Sequence, residues 1–219
     1  MRSTTVEELV QGFIRFRETA YPERTELFHQ LAHTQSPKVL FIACSDSRVV
    51  PELVTQSEPG AMFVIRNAGN IVPPSGPEPG GVSATIEYAV SVLGVSDIVI
   101  CGHSDCGAMT AIAHEHDLSG LPAVQAWLGH ASAAQAVNAT RGHTCNAERL
   151  HGLIHENVSA QLLNLRTHSS VAQALARGKL RLHGWVFDIE TGDIETLDGA
   201  SSRFVALEAE SRVAAYPVH

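Results

Sequence analysis

Val39-Leu40-Phe41-Ile42-Ala43 runs directly into Cys44-Ser45-Asp46-Ser47-Arg48, and this stretch carries both the fold and the chemistry of the chain. Five consecutive apolar residues without alternation predict a strand buried on both faces, as strands are in parallel sheets. Runs of the same kind recur at Met62-Phe63-Val64-Ile65 and Ile98-Val99-Ile100-Cys101, and residues 179–189 give a longer strand pattern. Helical stretches separate them, notably 82–93, where Val82, Ile86, Ala89, Val90 and Leu93 share a face. Strand alternating with helix predicts an α/β fold with a mainly parallel central sheet flanked by helices. Thr191-Gly192-Asp193 reads as a turn, which makes Ile194–Leu197 an antiparallel edge strand.

Upstream of the first strand, residues 4–17 carry Val6, Leu9, Val10, Phe13, Ile14 and Phe16 at helical spacing, and a second helical pattern covers 23–33. Residues 1–35 therefore read as an N-terminal helical arm on a chain, 1–219, that otherwise forms one domain. Residues 66–81, rich in Gly, Pro and Asn, are the most loop-like stretch, and 122–177 read as two or three helices covering the sheet.

The 219 residues are 44% hydrophobic and 17% charged, enough for one sizeable core. A formal charge of -8 with no Lys/Arg-rich run argues against nucleic acid or an anionic membrane as a partner. No stretch has the roughly 20 apolar residues of a spanning helix, and no basic-then-apolar leader is present, so a cytoplasmic location is expected. In that reducing setting Cys44, Cys101, Cys106 and Cys145 are read as thiols rather than as a disulfide framework.

Two loops stand out, each directly after a predicted strand: Cys44–Arg48, and Gly102-His103-Ser104-Asp105-Cys106-Gly107. Open parallel sheets bind ligands beyond the carboxyl ends of their strands, so adjacent strands would bring both loops into one crevice. Cys44, His103 and Cys106 then supply two thiolates and an imidazole, a set suited to Zn²⁺, with a fourth position left open as catalysis requires. Asp46 is either a hydrogen-bond acceptor beside the metal or a fourth ligand that shuts the site, and Arg48 can pair with it. Gly107 opens a helix whose N–H groups would face an anion. Cys101 reads as a core residue. Asp105 reads as a polar loop residue, and the pairs His29/His33, His114/His116 and His151/His155 as solvated helix faces.

The motifs Cys-Ser-Asp-Ser-Arg and His-Ser-Asp-Cys-Gly, their first ligands 59 residues apart (103 minus 44), resemble those of the β-class carbonic anhydrases. The likeness runs on through Glu58-Pro59-Gly60, Phe63 to Asn70, Gly80-Gly81, Ile86 to Val90 and His183-Gly184-Trp185. In Gln35-Ser36-Pro37 and Val50 to Val54 it is similar to the bacterial members encoded in cyanate operons. The resemblance implies one Zn²⁺ per subunit on Cys44, His103 and Cys106, Asp46 gated by Arg48, and hydration of carbon dioxide to bicarbonate by zinc-bound hydroxide. It implies a substrate pocket at a subunit interface around Gln35, Phe63, Ala68 and Tyr88, with the arm packed on the neighbour in a homodimer or dimer of dimers. A cyanate-linked member would restore bicarbonate consumed in cyanate breakdown. Some members carry a regulatory bicarbonate site of tryptophan, arginine and tyrosine; Phe41, Arg66 and Phe187 stand there, so that regulation is not expected. The rival readings are a zinc site used without catalysis and a hydrolase of carbon disulfide-like substrates on the same scaffold.

Overall fold

A computed structural model describes residues 4–208 and Ala215. The chain divides into two compact units, 1–36 and 37–219. In the first, α1 (Val6–Arg15) begins at Thr5, whose hydroxyl accepts the Glu8 N–H while the Glu8 carboxylate accepts the Thr5 N–H. This reciprocal cap satisfies two helix-start donors, and α1 needs it, because none of its residues is buried. A five-residue wider turn (Phe16–Ala20) leads into α2 (Tyr21–Glu23) and α3 (Thr25–Leu31), where Phe16, Tyr21 and Phe28 pack ring on ring.

The second unit is built on β1 (Val39–Cys44), β2 (Met62–Asn67), β3 (Asp97–His103), β4 (Arg181–Phe187), β5 (Ile194–Asp198) and β6 (Arg203–Ala206), in the order β2-β1-β3-β4-β5-β6. The first four strands in that order are parallel and the last two pairings antiparallel. The alternating pattern therefore led to the right fold class. It missed β6, a four-residue edge strand with no buried residue. Between the strands lie α4 (Pro51–Val54), α5 (Gly81–Tyr88), α6 (Gly107–Ala113), α7 (Pro122–Leu128), α8 (Ser132–Ala139), α9 (Asn146–Arg166) and α10 (Ser169–Ala176). Residues 122–177 thus hold four α-helices rather than two or three, because a tight turn at Gly129–Ala131 divides α7 from α8 and Thr167–His168 divides α9 from α10.

Strand periodicity sorts the core. Leu40, Ile42, Ile98 and Ile100 face the large cluster under the helices, while Phe41, Ala43, Val99 and Cys101 form a smaller one on the other face. Gly102 and Gly184 let α9 lie close to β3 and β4: a Cβ at Gly102 would sit 2.9 Å from Val158 Cγ2, and one at Gly184 2.8 Å from Val158 Cγ1. α9 then reaches across to the loop after β2. Asn157 Nδ2 donates to the Gly69 carbonyl at 2.9 Å, Gln161 Oε1 accepts the Val72 N–H at 2.9 Å, and Asn164 Nδ2 donates to the Val72 carbonyl at 2.9 Å. This row of amides gives the short 3-10 turn at Ala68–Asn70 and the extended stretch after it fixed backbone partners in the interior.

Candidate metal centre

β1 and β3 lie side by side, and the chain leaves β1 toward β2 but leaves β3 toward β4 on the opposite side, so the two connections diverge at the carboxyl ends of the pair. Cys44 is the last residue of β1, His103 the last of β3, and Cys106 the residue that caps α6. All three are buried, and one donor atom from each lies within 4.8 Å of the others.

The donors are prepared for a cation. His103 is wholly buried, and its Nδ1 lies 2.9 Å from the Ser104 carbonyl. A carbonyl can only accept, so Nδ1 carries the hydrogen and Nε2 keeps its lone pair. That Nε2 has no hydrogen-bond partner among the described residues, an orphaned polar atom of the kind a bound ion satisfies. Cys44 Sγ accepts the Gly69 N–H at 3.4 Å. The Cys106 thiol donates to Cys44 and holds it as a thiolate far below the usual thiol range, while the same contact and burial push Cys106 up. The Met109 and Ala108 N–H groups oppose that rise at Cys106. Two sulfurs and one free imidazole nitrogen in a buried pocket fit Zn²⁺, which can replace the proton that the two thiols share.

Beside the cluster, Arg48 engages Asp46 twice, with Nε 2.9 Å from Oδ1 and Nη2 2.7 Å from Oδ2. Asp46 is held well below the ordinary carboxylate range, first by these side-chain bonds. Its Oδ2 stands 4.0 Å from His103 Nε2. Arg48 also reaches across to the other loop, with Nη1 2.8 Å from Asp105 Oδ2 and Nη2 3.0 Å from the Asp105 carbonyl. This corrects the reading of Asp105 as a mere loop residue. Its backbone lies in the left-handed region, φ 54°, at the bend between His103 and Cys106. Arg66 braces the same turn, donating to the Cys44 carbonyl at 3.0 Å and to the Asp46 carbonyl at 2.7 Å.

Of the remaining expected residues, Phe63 and Tyr88 form a tilted ring pair with centroids 6.0 Å apart. Ala68 is exposed just after β2, its carbonyl accepting from Trp127 Nε1 at 2.8 Å, and Gly107 is the first residue of α6. Gln35 lies in the N-terminal unit and is exposed. Cys101 is buried in the smaller core cluster, where desolvation raises its thiol to about 12, and Cys145 is exposed just before α9. Trp127 and the α9 amides were not singled out from the sequence, although Asn157, Gln161 and Asn164 fall at helical spacing on one face.

The sequence matches the carbonic anhydrase family over residues 39–194. The carbonic anhydrase of Pseudomonas aeruginosa is 62% identical over 208 residues, covering 95% of this chain and 94% of its own length. Carbonic anhydrase 1 of Escherichia coli O157:H7 is 58% identical over 213 residues, 97% of each. The solved β-carbonic anhydrase CcaA is 43% identical and superposes with a TM-score of 0.90 over 95% of this chain and 93% of its own. Among the described residues no helix is long and apolar enough to cross a membrane.

Proposed function

Because the chain belongs to the β-class carbonic anhydrases, a family of enzymes, we propose that it interconverts carbon dioxide and bicarbonate at one Zn²⁺ per subunit, held by Cys44, His103 and Cys106. The observation that carries this reading is the buried, unpartnered His103 Nε2 beside two thiols at the carboxyl ends of β1 and β3. Zinc there supplies Lewis acidity, the means of ionising water near neutral pH.

The chain's own groups do the rest. Arg48 fixes the Asp46 carboxylate by two charge-assisted bonds, which keeps it ionised and turned toward the guanidinium. Asp46 Oδ2 so placed accepts a hydrogen bond from the attacking water and orients it. With zinc bound, the same pairing would keep this carboxylate off the ion. Phe63, Ala68, Tyr88 and Gly107 line the pocket for a small apolar gas and its anionic product, at the subunit interface that the resemblance implies. The Phe63–Tyr88 ring pair supports the apolar wall.

The enzyme is a homodimer or dimer of dimers in the cytoplasm. Support for assembly comes from α1, whose Val6, Leu9, Val10 and Phe13 are 71%, 62%, 51% and 58% exposed in a single chain. The proposed physiological role, restoring bicarbonate spent in cyanate breakdown, rests on the Gln35–Pro37 and Val50–Val54 resemblance and predicts poor growth on cyanate when the gene is deleted.

Stopped-flow hydration of carbon dioxide with a pH indicator, run beside metal analysis, tests the central claim. Hydration above the buffer rate that follows zinc content is expected. A zinc-loaded protein with no such rate at any neutral or mildly alkaline pH would reduce the site to a structural one, and turnover of carbon disulfide alone would favour the hydrolase reading.

A further inference from the structure

A second set of donors converges where α9 passes the antiparallel end of the sheet. His151 and His155 lie one helical turn apart, Glu195 lies on β5, and one donor atom from each falls within 4.8 Å of the others. The two imidazole centroids are 4.3 Å apart. His155 is held on three sides: Nδ1 lies 2.8 Å from the His151 carbonyl, the Phe204 ring stands edge-on at 4.4 Å, and Nε2 lies 2.8 Å from Glu195 Oε2. Unlike at His103, both ring nitrogens face acceptors, the His151 carbonyl at Nδ1 and the Glu195 carboxylate at Nε2, so a cation would enter by displacing the hydrogen that Nε2 shares with Glu195. The three groups open onto a cleft of about 600 Å³ that His143, Glu148, Glu156 and Ser159 also line. Arg141 in that cleft is paired with Glu156. The sequence reading dismissed His151/His155 as a solvated pair because Glu195, forty residues along the chain from His155, carries no local signal.

We propose that His151, His155 and Glu195 bind a divalent first-row transition cation, with Zn²⁺ as the working example, in addition to the Cys44–His103–Cys106 centre. Two imidazoles and one carboxylate form a donor set that zinc accepts with a solvent molecule completing its shell. Hard cations such as Mg²⁺ prefer oxygen donors and are selected against. The ion would tie α9 to β5, and α9 is the helix that packs Ile154 and Val158 on Gly102.

The test titrates zinc into the enzyme already loaded at its first site, by calorimetry and by metal analysis after desalting, and repeats it on His155→Ala and Glu195→Gln. The wild type should take up one further equivalent and melt at a higher temperature with added zinc, since binding to the folded state alone stabilises it. Each variant should keep its first equivalent and its basal hydration activity while binding the second at least about tenfold more weakly, the lower end of the loss even outer-shell changes cause. Glu195→Gln keeps the side-chain shape, so it decides the matter if His155→Ala folds poorly. No further equivalent on the wild type, an undiminished one on Glu195→Gln, or an equal melting shift with Mg²⁺ would each overturn the site.

Discussion

The two ends of β3 use the same residue types for opposite purposes. At the amino end Asp97 accepts from Arg181 Nε and Nη2 and from His183 Nε2, each at 2.8 Å, and from Ser96 Oγ at 2.7 Å. Burial alone would raise this carboxyl, but the three partners outweigh it and hold the group at about 2. At the carboxyl end His103 is more deeply buried than His183, yet its Nε2 has no hydrogen-bond partner among the described residues, and the Asp46 carboxylate beside it is turned onto Arg48. A buried polar atom left without a partner costs stability, and that cost is located where a cation can offset it. One end of the strand is arranged for the fold and the other for a ligand.

Substitutions should separate the two ends. The largest effect is expected for Cys106→Ser, which removes a soft ligand from a three-ligand set. Zinc content should collapse and the hydration rate fall by more than about 100-fold, the upper end of what outer-shell changes cost. Atomic emission on the purified variant checks this, and a normally loaded, active Cys106→Ser would erase the contrast. Arg48→Ala comes next, with zinc retained and turnover reduced about 100-fold, comparable to the loss of one aligned electrostatic partner. Full activity with stoichiometric metal would show that Asp46 needs no holder.

The amino end should respond in the other currency. Asp97→Asn should lower stability in urea by about 1 kcal/mol, discounted for the exposure of Arg181, and leave turnover per bound zinc unchanged. The wild type should carry a matching acid signature. Because the folded-state pKa is depressed, the Asp97 contribution is fully present above the ordinary aspartate value of about 3.9 and is lost as pH falls toward about 2. Acid unfolding of the wild type and of Asp97→Asn should therefore converge at the bottom of that window, and curves that stay parallel would contradict it. The smallest effect belongs to Asp105→Asn. Its side chain is 74% exposed, so its pair with Arg48 should change turnover by no more than about fivefold; a larger change, with zinc intact, would move Asp105 into the gate itself.

Much of this was legible from the residues because the signals are local. Three apolar runs announced β1, β2 and β3, and each ligand loop follows its strand directly, so strand adjacency was the only tertiary fact needed to assemble Cys44, His103 and Cys106. What escaped depends on direction in space. Asp105 turns toward Arg48 through a left-handed backbone that no residue pattern marks. Glu195 meets His155 only because β5 lies beside β4, and β6 is too short and exposed to leave a periodic trace. The closeness of α9 to β3 hangs on Gly102 and Gly184, whose meaning appears only when Val158 is seen against them.

Adjacency of β1 and β3 has one more consequence, for the order of events in folding. Each brings its own ligand to the cluster, and no continuous segment of the chain holds all three donors. Pairing two strands so far apart in the chain is a non-local step, slow compared with helix formation. Tight capture of the ion thus waits for that pairing, and the appearance of thiolate-to-metal absorption with a cobalt probe during refolding would time the moment at which the centre of the sheet closes.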